Sequence, residues 1–127
     1  MFIADTDVLI DFLRGVGEAE RIVIELSTGR LCTTAITAFE LWAGSKSPQQ
    51  VAAVESLLAA VTVLPLDGSS ARRAGEVRRD LERGGRTIGM ADSLIAGIAL
   101  NHEAILITRN RKHYDRVPGL KLTYQFR

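Results

Sequence analysis

A single cysteine, Cys32, leaves this chain no intramolecular disulfide and no cysteine-only zinc site, so a reducing cytosol is the expected compartment. Long apolar runs are missing as well. The longest stretch without a formal charge, residues 56–66, falls well short of the roughly 20 residues that cross a bilayer, so no membrane span is expected. Met1-Phe2-Ile3-Ala4-Asp5 lacks the basic flank and longer apolar segment of a secretory leader. Repeats, low-complexity tracts and Pro/Gly-rich linkers are also absent. Nor is there an excess of one charge: 16 Lys+Arg stand against 15 Asp+Glu, a net charge of +1 that excludes a strongly basic, non-specific nucleic-acid binder. What is present, 127 residues with 46% hydrophobic, suits one domain over 1–127 with a core of its own.

Short apolar segments alternate with helical patterns. Strands are expected at Phe2-Ile3-Ala4, at Leu31-Cys32-Thr33-Thr34, over 61–66 and over 104–108, with a further candidate over 121–125. Helices are expected over 8–13, from 19 to 26, over 36–43 up to Gly44, from Pro48 to 60, over 70–83 ending at Gly84-Gly85, and over 90–100. This alternation predicts an α/β fold with a mostly parallel sheet of four or five strands flanked by helices. Ligands in such sheets collect beyond the carboxyl ends of the strands, where this chain carries Asp5, Thr34 and Thr108. The strand order is not readable from the pattern.

Solitary carboxylates are the informative feature. Glu40 is the only charge between Arg30 and Lys46, and Asp92 the only one between Arg86 and Glu103, while Asp5 and Asp7 follow a strand that should be buried. Each has a plain reading: Asp92 or Asp5 as a helix cap, Glu40 facing solvent, Asp7 and Asp11 as surface or capping groups, and His102 and His113 as solvated side chains. Taken together, the three acids of separate segments read differently, because a doubly wound fold gathers strand ends and helix starts. Like charges so gathered resist ionisation without a cation. A hard divalent ion with oxygen ligands would relieve the repulsion, activate a water and steady a phosphate oxygen. Cys32, His102 and His113 show no soft-metal ligand spacing.

At these residues the chain resembles PIN-domain ribonucleases of the VapC toxin type. The resemblance rests on Asp5-Thr6-Asp7-Val8-Leu9-Ile10-Asp11, Thr37-Ala38-Phe39-Glu40-Leu41, Ala91-Asp92-Ser93-Leu94-Ile95-Ala96 and Ile107-Thr108-Arg109-Asn110, continuing through His113-Tyr114-Asp115-Arg116-Val117-Pro118-Gly119-Leu120. It implies a single PIN-like domain and a cytoplasmic, Mg²⁺-dependent (or Mn²⁺-dependent) endoribonuclease that forms a homodimer and is paired with a cognate antitoxin protein. It further implies Asp5, Glu40 and Asp92 as catalytic metal ligands, with Thr108 holding a carboxylate or water beside them. Asn110 stands where many relatives place a fourth acid; Asn110 and Asp115 are candidate additional ligands.

All but three (Lys46, Lys112 and Lys121) of the 16 cationic residues are arginine, which suits bidentate phosphate contact. One cluster, Arg72, Arg73, Arg78, Arg79, Arg83 and Arg86, reads equally as a solvated helix face laced with acids. The other adjoins the Thr108-Asn110 stretch, and its Arg109, Arg111 and Lys112 are candidates for RNA phosphate contact, with Arg116 beside them. Tyr114, Tyr124 and Phe126 give only weak support for base stacking. Two alternatives stay open. One is a catalytically silent PIN-like module binding RNA or protein, which Asn110 motivates. The other is a phosphoacceptor receiver domain with Asp67 as acceptor and Thr108 as its hydroxyl partner.

Overall fold

The computed structural model describes residues 1–17 and 19–123. The elements run β1 (Phe2–Ala4), α1 (Thr6–Leu13), α2 (Ala19–Thr28), β2 (Leu31–Thr34), α3 (Ala35–Ala43), α4 (Pro48–Ala60), β3 (Thr62–Leu64), α5 (Gly68–Arg83), α6 (Met90–Asn101), β4 (Ile105–Ile107), α7 (Arg111–Tyr114) and β5 (Lys121–Thr123). Capping chemistry sets several boundaries. Ser47 accepts from Gln50 N with Pro48 in the first turn of α4, Asp67 accepts from Ser70 N at the start of α5, and Gly84 closes α5.

All pairings are parallel, and the strand order is β3-β2-β1-β4-β5. β1 is therefore central. The chain grows to one side through β2 and β3, then returns to pair β4 against the other edge of β1. Such a reversal opens a crevice at the carboxyl ends of the two strands flanking it. The register pairs Ala4 with Ile107, so the next residues, Asp5 and Thr108, leave the sheet side by side, and Asp5 N donates to Ile107 O at 2.9 Å.

Alternating side chains serve two cores. Ile3, Cys32 and Leu106 point to the face covered by α5 and α6, with Val77, Leu81, Ile95 and Ile98; Ala4, Leu31 and Ile107 point to the face covered by α1–α4, with Val8, Leu9, Ile22, Leu41 and Leu57. At Gly97 the contact between α5 and α6 is so close that a Cβ would lie 2.6 Å from the Ala74 backbone nitrogen and Cβ.

Several expectations shift at the margins. The third strand contracts from 61–66 to Thr62–Leu64, because Pro65 cannot donate to the ladder. The fifth strand forms over Lys121–Thr123; Tyr124 and Gln125 of that expectation, and Phe126, lie outside the described residues. The receiver-domain alternative fails here. Asp67 follows the edge strand β3 as the cap of α5, and its bond from Ser70 N lowers its carboxyl pKa, while the Thr108 hydroxyl is given to Asp5.

Candidate active site

Asp5 terminates the central strand, where a buried residue has few ways to reach water; it is 5% exposed. Its Oδ2 accepts from Thr108 Oγ1 at 2.7 Å and its Oδ1 from Thr6 N at 2.9 Å. The expected capping role and the expected site role thus coexist, since Asp5 also begins α1. Burial pushes its carboxyl up to about 7; the Thr108 bond opposes this, the Asp7 and Asp92 charges add to it, and the Thr6 N–H opposes it. A carboxylate here is charged at neutral pH only at a cost.

Glu40 reaches the same place from α3. Thr34, the last residue of β2, caps that helix through Thr37 N at 3.1 Å, which aims α3 back across the sheet ends. Glu40 Oε1 accepts from Thr6 Oγ1 at 2.6 Å, so the side chain is held rather than waving in solvent. Asp92 sits in the first turn of α6, whose cap is Gly89; Asp92 is therefore not the helix cap the sequence suggested. Its Oδ1 accepts from Tyr114 Oη at 3.1 Å and its Oδ2 from Asn110 Nδ2 at 3.3 Å. α1 and α6 both present N-terminal turns to the site, each carrying an acid there, Asp7 and Asp92, where the helix dipole favours negative charge.

These groups share one open pocket of about 440 Å³, lined by Asp5, Thr6, Asp7, Ile10, Glu40, Asp92, Arg109 and Asn110. Among the described residues its carboxylates outnumber its one cationic side chain. Arg109 is moreover engaged at the rim: Nε and Nη2 donate to Asp11 Oδ2 and Oδ1 at 2.7 and 3.2 Å. A phosphodiester would meet net negative charge in this pocket unless a cation entered first.

The donor set is made of carboxylates, hydroxyls and an amide, which suits a hard divalent ion such as Mg²⁺. Two observations fit such an ion: the raised Asp5 carboxyl, and Asp7 Oδ1, which is buried and has no hydrogen-bond partner among the described residues. No three His, Cys, Asp or Glu side chains among the described residues close on one point as a finished cage. That is compatible with Mg²⁺, which takes few carboxylates and keeps several waters.

Asp5, Glu40, Asp92 and Asn110 are brought to this one pocket, with Thr108 bonded to Asp5 behind it. Asp115 is not. It terminates the short helix α7, exposed and outside the pocket lining, because Tyr114 takes the single buried position of that turn. Arg111 and Lys112 are exposed on α7 beside Asn110. In the other basic cluster, Arg78 pairs with Glu82 at 2.9 Å and Arg83 with Asp80 at 3.6 Å, the laced-face reading, and no α5 residue lines the pocket.

Four residues carry more than their sequence setting suggested. Asp7 is half-buried in the pocket, accepts from Arg109 N at 3.1 Å, and has its carboxyl raised by burial. Asp11 anchors Arg109. His113 is not simply solvated, its Nδ1 lying 3.2 Å from Asn110 Nδ2 and 3.7 Å from Asp92 Oδ2. Tyr114 is fully buried, with its hydroxyl between Asp5 and Asp92. Proximity in sequence could have flagged Asp7; nothing local could have placed Tyr114.

Comparison with known proteins leads to the same site. A PIN domain model matches residues 2–120. The chain is 31% identical over 124 residues to the tRNA(fMet)-specific endonuclease VapC of Shigella flexneri, covering 94% of each chain. It is 35% identical over 122 residues to ribonuclease VapC10 of Mycobacterium tuberculosis, covering 95% of this chain and 91% of the relative. Its fold superposes with a TM-score of 0.86 on a chain of the DNA-bound VapBC structure from Salmonella typhimurium, at 31% identity over 96% of both chains. With the family match spanning both flanks of the sheet and the acids standing at the switch between β1 and β4, the chain belongs to the PIN-domain family and groups with its VapC ribonucleases.

Proposed function

We propose that this chain, as one PIN-like domain over 1–127, is a divalent-cation-dependent endoribonuclease and the toxin of a toxin–antitoxin pair. The observation that carries the reading is the pocket itself: Asp5, Glu40 and Asp92, from three separate segments, face one open space together with Asp7, and Asp5 is held near pKa 7 by burial. Asp5, Glu40 and Asp92 would hold the ion. Mg²⁺ or Mn²⁺, when bound, supplies a Lewis acid that activates water and offsets charge at the scissile phosphate.

The chain's own residues orient the ligands. Thr108 fixes Asp5 Oδ2, Thr6 fixes Glu40, and Asn110 and Tyr114 fix the two oxygens of Asp92. Arg111 and Lys112, exposed on α7 beside Asn110, offer positive charge to the RNA backbone, and Arg109 adds to it at the pocket rim, where its pairing with Asp11 holds the guanidinium in place. Asn110 serves as a neutral partner of Asp92 and brings no further charge to the pocket.

The relatives' names supply the substrate class, RNA, and the VapBC assemblies support a cognate antitoxin as partner. A homodimer in the cytoplasm belongs to the same reading; Phe39, next to Glu40, and Met90, near Asp92, are 68% and 69% exposed and offer apolar surface to another chain. No described helix is long and apolar enough to cross a membrane. Purified protein should cleave RNA with Mg²⁺, and lose cleavage with EDTA or on Asp5→Asn or Asp92→Asn. Undiminished cleavage in the double variant with EDTA would overturn the mechanism. Cation binding and RNA binding without any cleavage would favour the silent module instead.

A further inference from the structure

Tyr114 is a completely buried side chain whose ring belongs to the core between the sheet and α5–α6. Apolar packing alone does not call for a phenol over a phenylalanine ring, and a buried hydroxyl is costly unless it is bonded. Here the hydroxyl faces the site. It lies 3.1 Å from Asp92 Oδ1 and 3.4 Å from Asp5 Oδ1. Asp5 comes from the end of β1 and Asp92 from the first turn of α6, and the two segments carry like charges that repel. The remaining oxygens of these acids are taken by Thr108 and Asn110. Tyr114 is therefore the one described side chain within hydrogen-bond distance of both acids, its single proton directed to Asp92 Oδ1, the nearer acceptor, or shared between the two.

We propose that Tyr114 is a positioning residue for cation binding: its hydroxyl spans Asp5 and Asp92 and holds the two carboxylates at a fixed spacing from the buried side of the site. This rests on the reading of the pocket as a divalent-cation site. It gives the hydroxyl a role that the core packing of the ring does not require. A tyrosine hydroxyl ordinarily ionises at about 10, so it can serve as a donor at neutral pH. Oxygen ligands held this way lose less freedom when the ion arrives, and removal of such an outer hydrogen-bond partner typically weakens metal affinity about 10–100-fold.

Tyr114→Phe keeps the ring and removes only the hydroxyl. Mn²⁺ and Mg²⁺ binding should be followed calorimetrically, alongside RNA cleavage as a function of cation concentration. The expected result is a cation Kd weaker by about tenfold, an unchanged KM for RNA, and cleavage that recovers when the cation is raised to saturation. A Kd within about twofold of wild type in a folded Tyr114→Phe protein would overturn the inference. If the wild-type chain bound no divalent cation at all, the reading of the site would fall first, and this inference with it.

A second measurement covers a Tyr114→Phe protein that does not fold. In a Tyr124→Phe background Tyr114 is the only tyrosine, and its near-ultraviolet absorbance reports the hydrogen bond directly. Cation binding to its acceptors should shift that band; saturation with Mn²⁺ and no shift would overturn the inference.

Discussion

Asp5→Asn offers the sharpest probe of the site, because the raised carboxyl makes a stability prediction with a definite sign. An ordinary aspartate ionises near 3.8, whereas burial holds Asp5 at about 7. Between those values the unfolded chain has released the proton and the folded chain has not. Stability of the cation-free protein therefore falls as pH rises from about 4 to about 7, and levels off above that. A shift of this size corresponds to about 4 kcal/mol in all, of which roughly 2.5 kcal/mol lies between pH 5 and pH 8. That is a large share of the roughly 5–15 kcal/mol that holds a domain folded. Asp7, also raised by burial, adds in the same direction. Urea unfolding in EDTA, followed through the single tryptophan Trp42, should show wild type weaker at pH 8 than at pH 5. Asp5→Asn should lose most of that slope and gain stability at pH 8. A divalent cation at about 100 times its Kd should restore about 2.7 kcal/mol to wild type and little to the variant. Wild-type stability that rises from pH 5 to pH 8 in EDTA, or an equal slope in Asp5→Asn, would refute the reasoning.

Thr108→Val removes the 2.7 Å bond to Asp5 and the acceptor for Asn110 N at 2.9 Å. It should weaken Mn²⁺ binding about tenfold or more, read by calorimetry, with a smaller loss of thermal stability than of affinity. Gly97→Ala should behave in the opposite way. Its new methyl would meet the Ala74 backbone at 2.6 Å, so the α5–α6 contact must open at a cost of about 1–3 kcal/mol, while cation affinity of the folded fraction stays as in wild type. Denaturant midpoints and calorimetry on the same samples separate the two effects.

Much of the site was legible because its residues violate the pattern around them. Glu40 and Asp92 stand alone in apolar stretches, and Asp5 ends a buried strand; each is expensive where it is, and that expense is visible in one dimension. The glycine and proline signals at Gly44, Pro48 and Gly84 likewise act within a few residues, so those helix boundaries follow closely from them. Asp7 was flagged only by its closeness to Asp5, and Asp11 not at all, since acids beside a helix start look alike whether they face water or a pocket. Asp115 misled for the converse reason: closeness in sequence to Asn110 does not survive one turn of helix.

By itself, then, the sequence determined the alternation of strands and helices, the periods that split the side chains into two cores, and the identity of the three costly acids. These depend on local periodicity and on the price of burying charge. The tertiary structure alone decided which of those acids meet. The strand order β3-β2-β1-β4-β5 is set by long-range pairing, and the register that pairs Ala4 with Ile107 places Thr108 against Asp5. It also decided that a tyrosine of the last helix, 109 positions from Asp5, reaches it through the core. The single cysteine and the lack of any charge excess set the outer bounds; the place of each charge around one pocket came from packing.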